Sequence, residues 1–355
     1  DLSADGQVAC ATCHQPEHGF GDPRPTSPGA FDRPGSLHAP GLLNVAFQRV
    51  WMWNGRVDHL WSQPIQALEH PAEHDFTRVE LAHRIAGPYR PYYESVFGPL
   101  PDLGDLPPRA KPGDDAWAAL SAAQRDAIDR VAANVGKAIE AYERKLLCTD
   151  TRLDRYLRGE GELTALELQG AAQFLDRDQG DCARCHGGAT LSDGAFHNLG
   201  LERADSDELG RPAGLQALVD DPFNGEGDYS DDPTAGRQRI EAMVLAEAPL
   251  GGFRTVPLRG VAQRAVFGHR GDTDRLRTWI TTVYRRRGRR GRGDGDLLGQ
   301  RSSLIRDPGN PTALVAFLQT LSCPPLPEAL TRAPTATELA EAMAWDAAAT
   351  VEGQP

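Results

Sequence analysis

Two five-residue runs, Cys10-Ala11-Thr12-Cys13-His14 and Cys182-Ala183-Arg184-Cys185-His186, hold the residue types best suited to chemistry. Thiols at this spacing can each add to a vinyl group of haem, while the next residue turns its imidazole onto the iron. A single run could belong to a zinc site. Two runs, one near the start and one past the middle, predict two covalently bound haems c with His14 and His186 as proximal ligands. The opposite face of each iron then decides the function: an open position admits an oxidant, whereas a second protein ligand allows only electron transfer.

The 355 residues suffice for about two domains. The expected division is an N-terminal haem module over 1–150, a C-terminal haem module over 151–330 and a peripheral tail over 331–355. Glycine (37) and proline (27) are abundant and aromatic residues make up 7%, so much of the chain should be loop wrapped around a prosthetic group. The formal charge of -12 argues against nucleic acid and suits a small basic redox partner. No stretch approaches the ~20 apolar residues of a membrane span. Cys148 and Cys323 remain outside the haem motifs, and export to an oxidising periplasm would let them pair. The opening Asp1-Leu2-Ser3 is read as following a removed or omitted leader.

The elements that must position these groups are mainly helical. Thr77 with Glu80 and Ser121 with Gln124 form capping boxes, and Phe76 can staple onto Leu81. After Ser121, Ile128, Val131, Val135, Ile139, Tyr142 and Leu146 recur at helical steps, predicting six or seven turns. Another capped start, Leu163-Thr164 to Glu167-Leu168, leads toward the second haem motif. Asn310-Pro311 opens a short helix with Leu314, Phe317, Leu318 and Leu321 on one face. The acidic, Gly-rich stretch from Glu202 to Pro233 is expected as surface loop, Arg285 to Arg292 as a solvated loop, and Thr335 to Thr350 as a peripheral helix. Period-two alternation is scarce, so the fold class is mainly α: two cytochrome c-like domains with long loops and little β structure.

Together with the haem motifs, four further stretches resemble the bacterial di-haem cytochrome c peroxidase and MauG family. They are Trp53-Asn54-Gly55-Arg56, Pro71-Ala72-Glu73, Phe196-His197-Asn198 and Phe253-Arg254-Thr255-Val256-Pro257-Leu258-Arg259-Gly260. The resemblance runs from Asp1 to about Leu321. It implies two mostly helical haem domains with Ca2+ between them, one haem meeting hydrogen peroxide and the other relaying electrons.

Members of the family that need reductive activation carry a distal histidine in the loop corresponding to Thr26–Pro40, and Ala30 falls at that position. Alanine cannot ligate iron, so the resemblance implies an open, five-coordinate first haem. His38, eight residues on, is the competing ligand and is otherwise a packing histidine. Glu73 matches the family's distal glutamate and Gln63 its distal glutamine, with Glu69, His70 and His74 as rivals. A carboxylate above the iron can take a proton from the near oxygen of peroxide and return it to the far one. Tyr284 matches the tyrosine that MauG-like members place on the second haem, following His269-Arg270-Gly271, which departs from the family's His-Asp-Gly at its middle residue. Trp53 matches the tryptophan between the haems, with Trp51 and Trp279 as alternatives. The Asn44 side chain and the carbonyls of Thr255 and Pro257 match the calcium ligands, oxygen donors as a hard cation requires.

The implied function is peroxide reduction, with electrons drawn from a small cytochrome c or cupredoxin, or from tryptophan and tyrosine residues of a partner protein. A non-catalytic periplasmic di-haem electron-transfer cytochrome is the alternative, and it requires two six-coordinate irons.

Overall fold

The computed structural model describes residues 2–177, 179–199, 209–246, 248–287 and 311–341, with side chains to 283 in the helix that ends the fourth range. The chain is mainly helical. Among the described residues the helices in chain order are α1 (Cys10–Cys13), α2 (Gln63–Glu69), α3 (Arg78–Ala86), α4 (Arg90–Phe97), α5 (Asp115–Ala118), α6 (Ala122–Glu143), α7 (Arg152–Leu157), α8 (Ala165–Leu175), α9 (Arg211–Asp220), α10 (Pro233–Leu245), α11 (Leu276–Arg287) and α12 (Thr312–Gln319). The sheet among these residues is a single antiparallel pair, β1 (Phe196–His197) and β2 (Phe253–Arg254), with Phe196 opposite Arg254 and His197 opposite Phe253. It joins two of the stretches that carry the family resemblance. No helix among the described residues is long and apolar enough to cross a membrane.

The helix starts follow local chemistry. The Thr77 main-chain N–H donates to Glu80 Oε2 at 2.8 Å while the Glu80 N–H donates to Thr77 Oγ1 at 3.3 Å, so each satisfies an otherwise orphaned donor. The same reciprocal pair opens α6 at Ser121 and Gln124, and α8 at Thr164 and Glu167. Phe76 and Leu81 share one buried cluster, as the staple predicts. Helix α6 spans 22 residues and ends at Glu143, leaving Leu146 beyond it. Ile128 and Val131 are fully buried, whereas Ile139 and Tyr142, further along the predicted stripe, line a cavity instead of a side-chain core.

One apolar cluster joins Trp61, Leu68, Leu81 and Val131 of the first half to Phe223 of the second. Another packs α8 on α12, with the Phe174 and Phe317 rings 5.2 Å apart and Leu314, Leu318 and Leu321 buried as expected. A third surrounds the disulfide between Cys148 and Cys323, burying Phe20, Leu43 and Leu146 around it.

The surface-loop expectation for Glu202 to Pro233 is corrected for its described part. Helix α9 occupies its middle, with Arg211, Gly214 and Leu218 buried, and Phe223 and Asn224 follow as buried residues. A helix that packs through a glycine and an arginine presents no apolar stripe, so its period was hidden. Helix α10, buried through Gly236 and Ile240, was hidden for the same reason. Leu330 and, from the start of the expected tail, Thr331 to Pro334 reach the wall of the large cavity described below.

Candidate active site

Each haem motif builds the same local device. The main-chain N–H of His14 donates to the Cys10 carbonyl at 2.8 Å, and that of His186 to the Cys182 carbonyl at 2.8 Å, so each motif closes into one helical turn. Nδ1 of His14 lies 2.8 Å from the Phe20 carbonyl, and Nδ1 of His186 lies 3.0 Å from the Leu191 carbonyl. A carbonyl can only accept, so both rings carry the proton on Nδ1 and keep the Nε2 lone pair for a metal. Phe20 and Leu191 both take left-handed backbone, at φ 58° and 54°, which turns their carbonyls back onto the rings. Burial pushes both imidazoles below the usual histidine range, favouring the neutral, ligating form.

A cavity of about 1180 Å³ opens beside His14, Cys10 and Cys13. It exceeds the ~300–1,000 Å³ of ordinary ligand pockets. Two orphaned buried acceptors, Gln48 Oε1 and Glu143 Oε2, belong to residues on its wall. Its size, apolar lining and paired thiols fit a covalently held haem. At the second motif, Cys182, Ala183 and Leu191 pack with Phe174, Leu258, Phe267 and Trp279, an apolar bed that also suits a porphyrin.

Glu73, Gln63, Arg56, His70, His74 and Trp53 share the first cavity with His14. Gln63 opens α2, and Glu73 sits in the turn after it, where the Glu73 N–H donates to the His70 carbonyl at 3.0 Å. The 29–33 loop clasps this turn. The Ala30 N–H donates to the Glu73 carbonyl at 2.7 Å, and Arg33 reaches the Pro71 carbonyl at 3.1 Å and Asp75 at 2.9 Å. Gly29 lies so close that a Cβ there would stand 2.1 Å from the Ala72 carbonyl oxygen. Ala30 is fully buried and braces Glu73 through its main chain. Burial pushes the Glu73 carboxyl above its usual range, partly opposed by Arg56.

The rivals separate by their contacts. Glu69 is held by Arg78, with Oε2 2.8 Å from the guanidinium, and is structural. His38 and His74 direct Nδ1 to the carbonyls of Arg24 and Leu2, at 3.1 and 2.7 Å. Nδ1 of His70 accepts from the Ala72 N–H at 3.2 Å. Of the tryptophans, Trp51 is buried and donates to the Val45 carbonyl at 3.1 Å, and Trp279 packs in the second apolar bed. Trp53 lines the cavity, donates to the His38 carbonyl at 2.7 Å and stands edge-on to the His269 ring at 6.1 Å. The Trp-Asn-Gly-Arg turn is pinned from the second half. Arg211 donates to the Gly55 carbonyl at 2.7 Å, and a Cβ on Gly55, at φ 69°, would meet Phe196 at 2.3 Å. Tyr284 falls on α11, but its side chain lies outside the described residues.

The expected calcium ligands do not fit the ion as arranged. Asn44 Oδ1 accepts from the Cys148 N–H at 2.8 Å, the Thr255 carbonyl accepts from Ser192 Oγ at 2.8 Å, and the Pro257 carbonyl accepts from the Arg264 guanidinium at 2.8 Å. A guanidinium at one of three donors repels a dication, so no step below uses the ion. Arg254 is buried and Arg264 half-buried, and both are held down to about 10 by desolvation first, with Arg264 adding repulsion at Arg254.

Sequence reasoning quoted Arg56 within a motif without giving it a role, and missed Gln66, Asp221 and Glu143. The Arg56 Nε donates to Gln66 Oε1 at 2.8 Å, and Gln66 Nε2 donates to Asp221 at 2.7 Å. Only the motif membership of Arg56 was visible in advance.

Comparison with known proteins places this geometry. Residues 1–162 match the family described as di-haem cytochrome c peroxidase. The chain is 28% identical over 222 residues to the methylamine utilization protein MauG of Methylophilus methylotrophus, covering 61% of this chain and 57% of that one. It is 26% identical to the cytochrome c551 peroxidase of Pseudomonas aeruginosa, covering 90% and 75% of the two chains. It is 29% identical to the MauG of Paracoccus denitrificans, covering 90% and 85%. The fold is similar to the diheme peroxidase BthA of Burkholderia thailandensis, with a TM-score of 0.66, 22% identity and coverage of 95% and 86%. With two haem-attachment motifs built alike, the chain is similar along most of its length to di-haem cytochrome c peroxidases and MauG proteins, and it spans 57% of the length of the Methylophilus relative.

Proposed function

We propose that this chain reduces hydrogen peroxide in the cavity beside His14, with Glu73 as the proton-transferring group. The observation that carries this reading is the presence of the Glu73 carboxyl and the Gln63 amide in the same cavity as His14 and two attachment thiols. Burial raises the Glu73 carboxyl, which brings its proton exchange closer to neutral pH, where a general acid and base is most useful. When bound, the two haems supply the iron that meets the oxidant and the electrons that reduce it.

The chain's own residues have distinct tasks. His14 and His186 hold the prosthetic groups, one in each of the modules 1–150 and 151–330. Glu73 takes a proton from peroxide and returns it to the departing oxygen, and Gln63 orients the bound oxidant. Trp53, fixed by the His38 carbonyl, lies on the route between the two sites. Ala30, packed under Glu73, offers the first iron no ligand from its own position. Tyr284 is the proposed second ligand at the other iron.

Electrons come from a small cytochrome c or cupredoxin drawn by the acidic chain, or from tryptophan or tyrosine of a partner protein. The Cys148–Cys323 disulfide suits an oxidising compartment such as the periplasm. Turnover with peroxide and reduced cytochrome c tests the reading. Fast turnover without prior reduction assigns a small redox donor, and a peroxide reaction with no cytochrome turnover assigns a protein substrate. Absence of any reaction with peroxide contradicts the proposal. A non-catalytic electron carrier is the second reading. His38 and His74 favour it, because each engages Nδ1 and retains Nε2. It requires two low-spin irons.

A further inference from the structure

Arg56 is a cation without a direct ion pair among the described residues, with Glu73 and Asp221 as its longer-range acidic neighbours. It lines the first cavity, no carboxylate among the described residues comes within ion-pair distance of it, and its only hydrogen bond among them uses Nε. Holding a half-buried cation in an apolar cavity without a direct partner is costly unless a ligand supplies one. The side chain is also deliberately placed. Gln66 accepts from Nε at 2.8 Å, and its amide is fixed by donating to Asp221 at 2.7 Å from the second half of the chain. This chain spends the stem side of the guanidinium fork and leaves the terminal nitrogens for the cavity. Glu73 and His70 are the titratable groups that sense Arg56 there, the first attracted and the second repelled.

We propose that Arg56 is the anion-binding residue of the first cavity, aimed by Gln66 and Asp221, and that it holds the oxygen of deprotonated peroxide. The inference rests on the peroxide reading above. When Glu73 takes one proton from H2O2, HOO− and a neutral carboxyl result, so a negative charge moves from the carboxylate to the oxidant. A guanidinium offering hydrogen bonds stabilises that charge where it arrives. Gln66 and Asp221 act through Arg56 and are positioning residues.

Fluoride binding to the ferric holoprotein, followed by its absorption spectrum, tests this without turnover, because bound fluoride is stabilised by a hydrogen-bond donor beside the iron. Cyanide affinity and haem content control for folding. Arg56→Leu should weaken fluoride binding by about 10- to 100-fold, and Gln66→Leu by about 3- to 10-fold, with little change for cyanide. Arg56→Lys, which keeps the charge without the fork, should fall between Arg56→Leu and the unaltered protein. Unchanged fluoride affinity in Arg56→Leu overturns the proposal. If the haem midpoint potential shifts at the same time, Arg56 is assigned to the haem carboxylates instead. An unaltered protein that binds neither fluoride nor cyanide contradicts the open first iron, and this proposal with it.

Discussion

The indole N–H of Trp53 donates to the main-chain carbonyl of His38 at 2.7 Å, and the His38 N–H donates onward to the carbonyl of His269 at 2.9 Å. The His269 ring in turn stacks on Phe253 of β2 at 3.9 Å. One chain of contacts therefore runs from the first cavity into the second half of the molecule. Trp53→Phe keeps an aromatic ring and removes the donor. It should cost about 1 kcal/mol of stability and slow the oxidation of the second haem after peroxide is added, while the initial peroxide reaction keeps its rate. Stopped-flow absorption at the two haems checks this, and an unchanged second phase removes Trp53 from the route.

Glu73 must be ionised to accept a proton. Because burial raises its folded value, the peroxide reaction should slow as pH falls through a range above the ordinary ~4.3 of glutamate. Glu73→Gln should lower the rate by about 10²- to 10⁴-fold and abolish that acidic limb. A variant that retains the limb assigns it to another group.

Glu143 sits on the cavity wall with Oε2 unpaired, and burial, with Glu140 second, pushes it up to about 8 from 4.5. A raised folded value means that the native state holds the proton more tightly than the unfolded chain. Its stabilising contribution is complete below pH 4.5 and is lost as pH rises through about 8. Glu143→Gln should therefore match the native protein near pH 4 and melt at a higher temperature near pH 9. Thermal melts at the two pH values check it, and equal displacement at both refutes the assignment.

The disulfide joins Cys148 to Cys323 across 175 residues and lies inside a buried cluster. The double variant Cys148→Ser, Cys323→Ser should lose about 2–5 kcal/mol. Denaturant unfolding with and without reductant checks this: reduction should destabilise the native chain and leave the variant unaffected.

Features set by short-range chemistry were legible in the sequence. The three capping boxes formed as read, because their partners stand three residues apart. The haem motifs, the apolar face of α12 and the pairing of the remaining cysteines were legible too. Helices α9 and α10 were not, since they pack through Gly214, Gly236 and Arg211 and show no apolar period. The Arg56–Gln66–Asp221 chain was hidden because Asp221 lies 155 residues from Gln66, and only the fold brings them together. The calcium ligands were expected from resemblance alone, and Arg264 now stands at one of them.

The central claim is an unequal pair of irons, the first open above His14 and the second closed by a side chain. The electron paramagnetic resonance spectrum of the resting ferric protein tests it most directly. The account predicts one high-spin signal that converts to low-spin on adding cyanide, beside one low-spin signal that does not respond. Two low-spin signals, both indifferent to cyanide, would contradict it and point to His38 or His74 on the first iron.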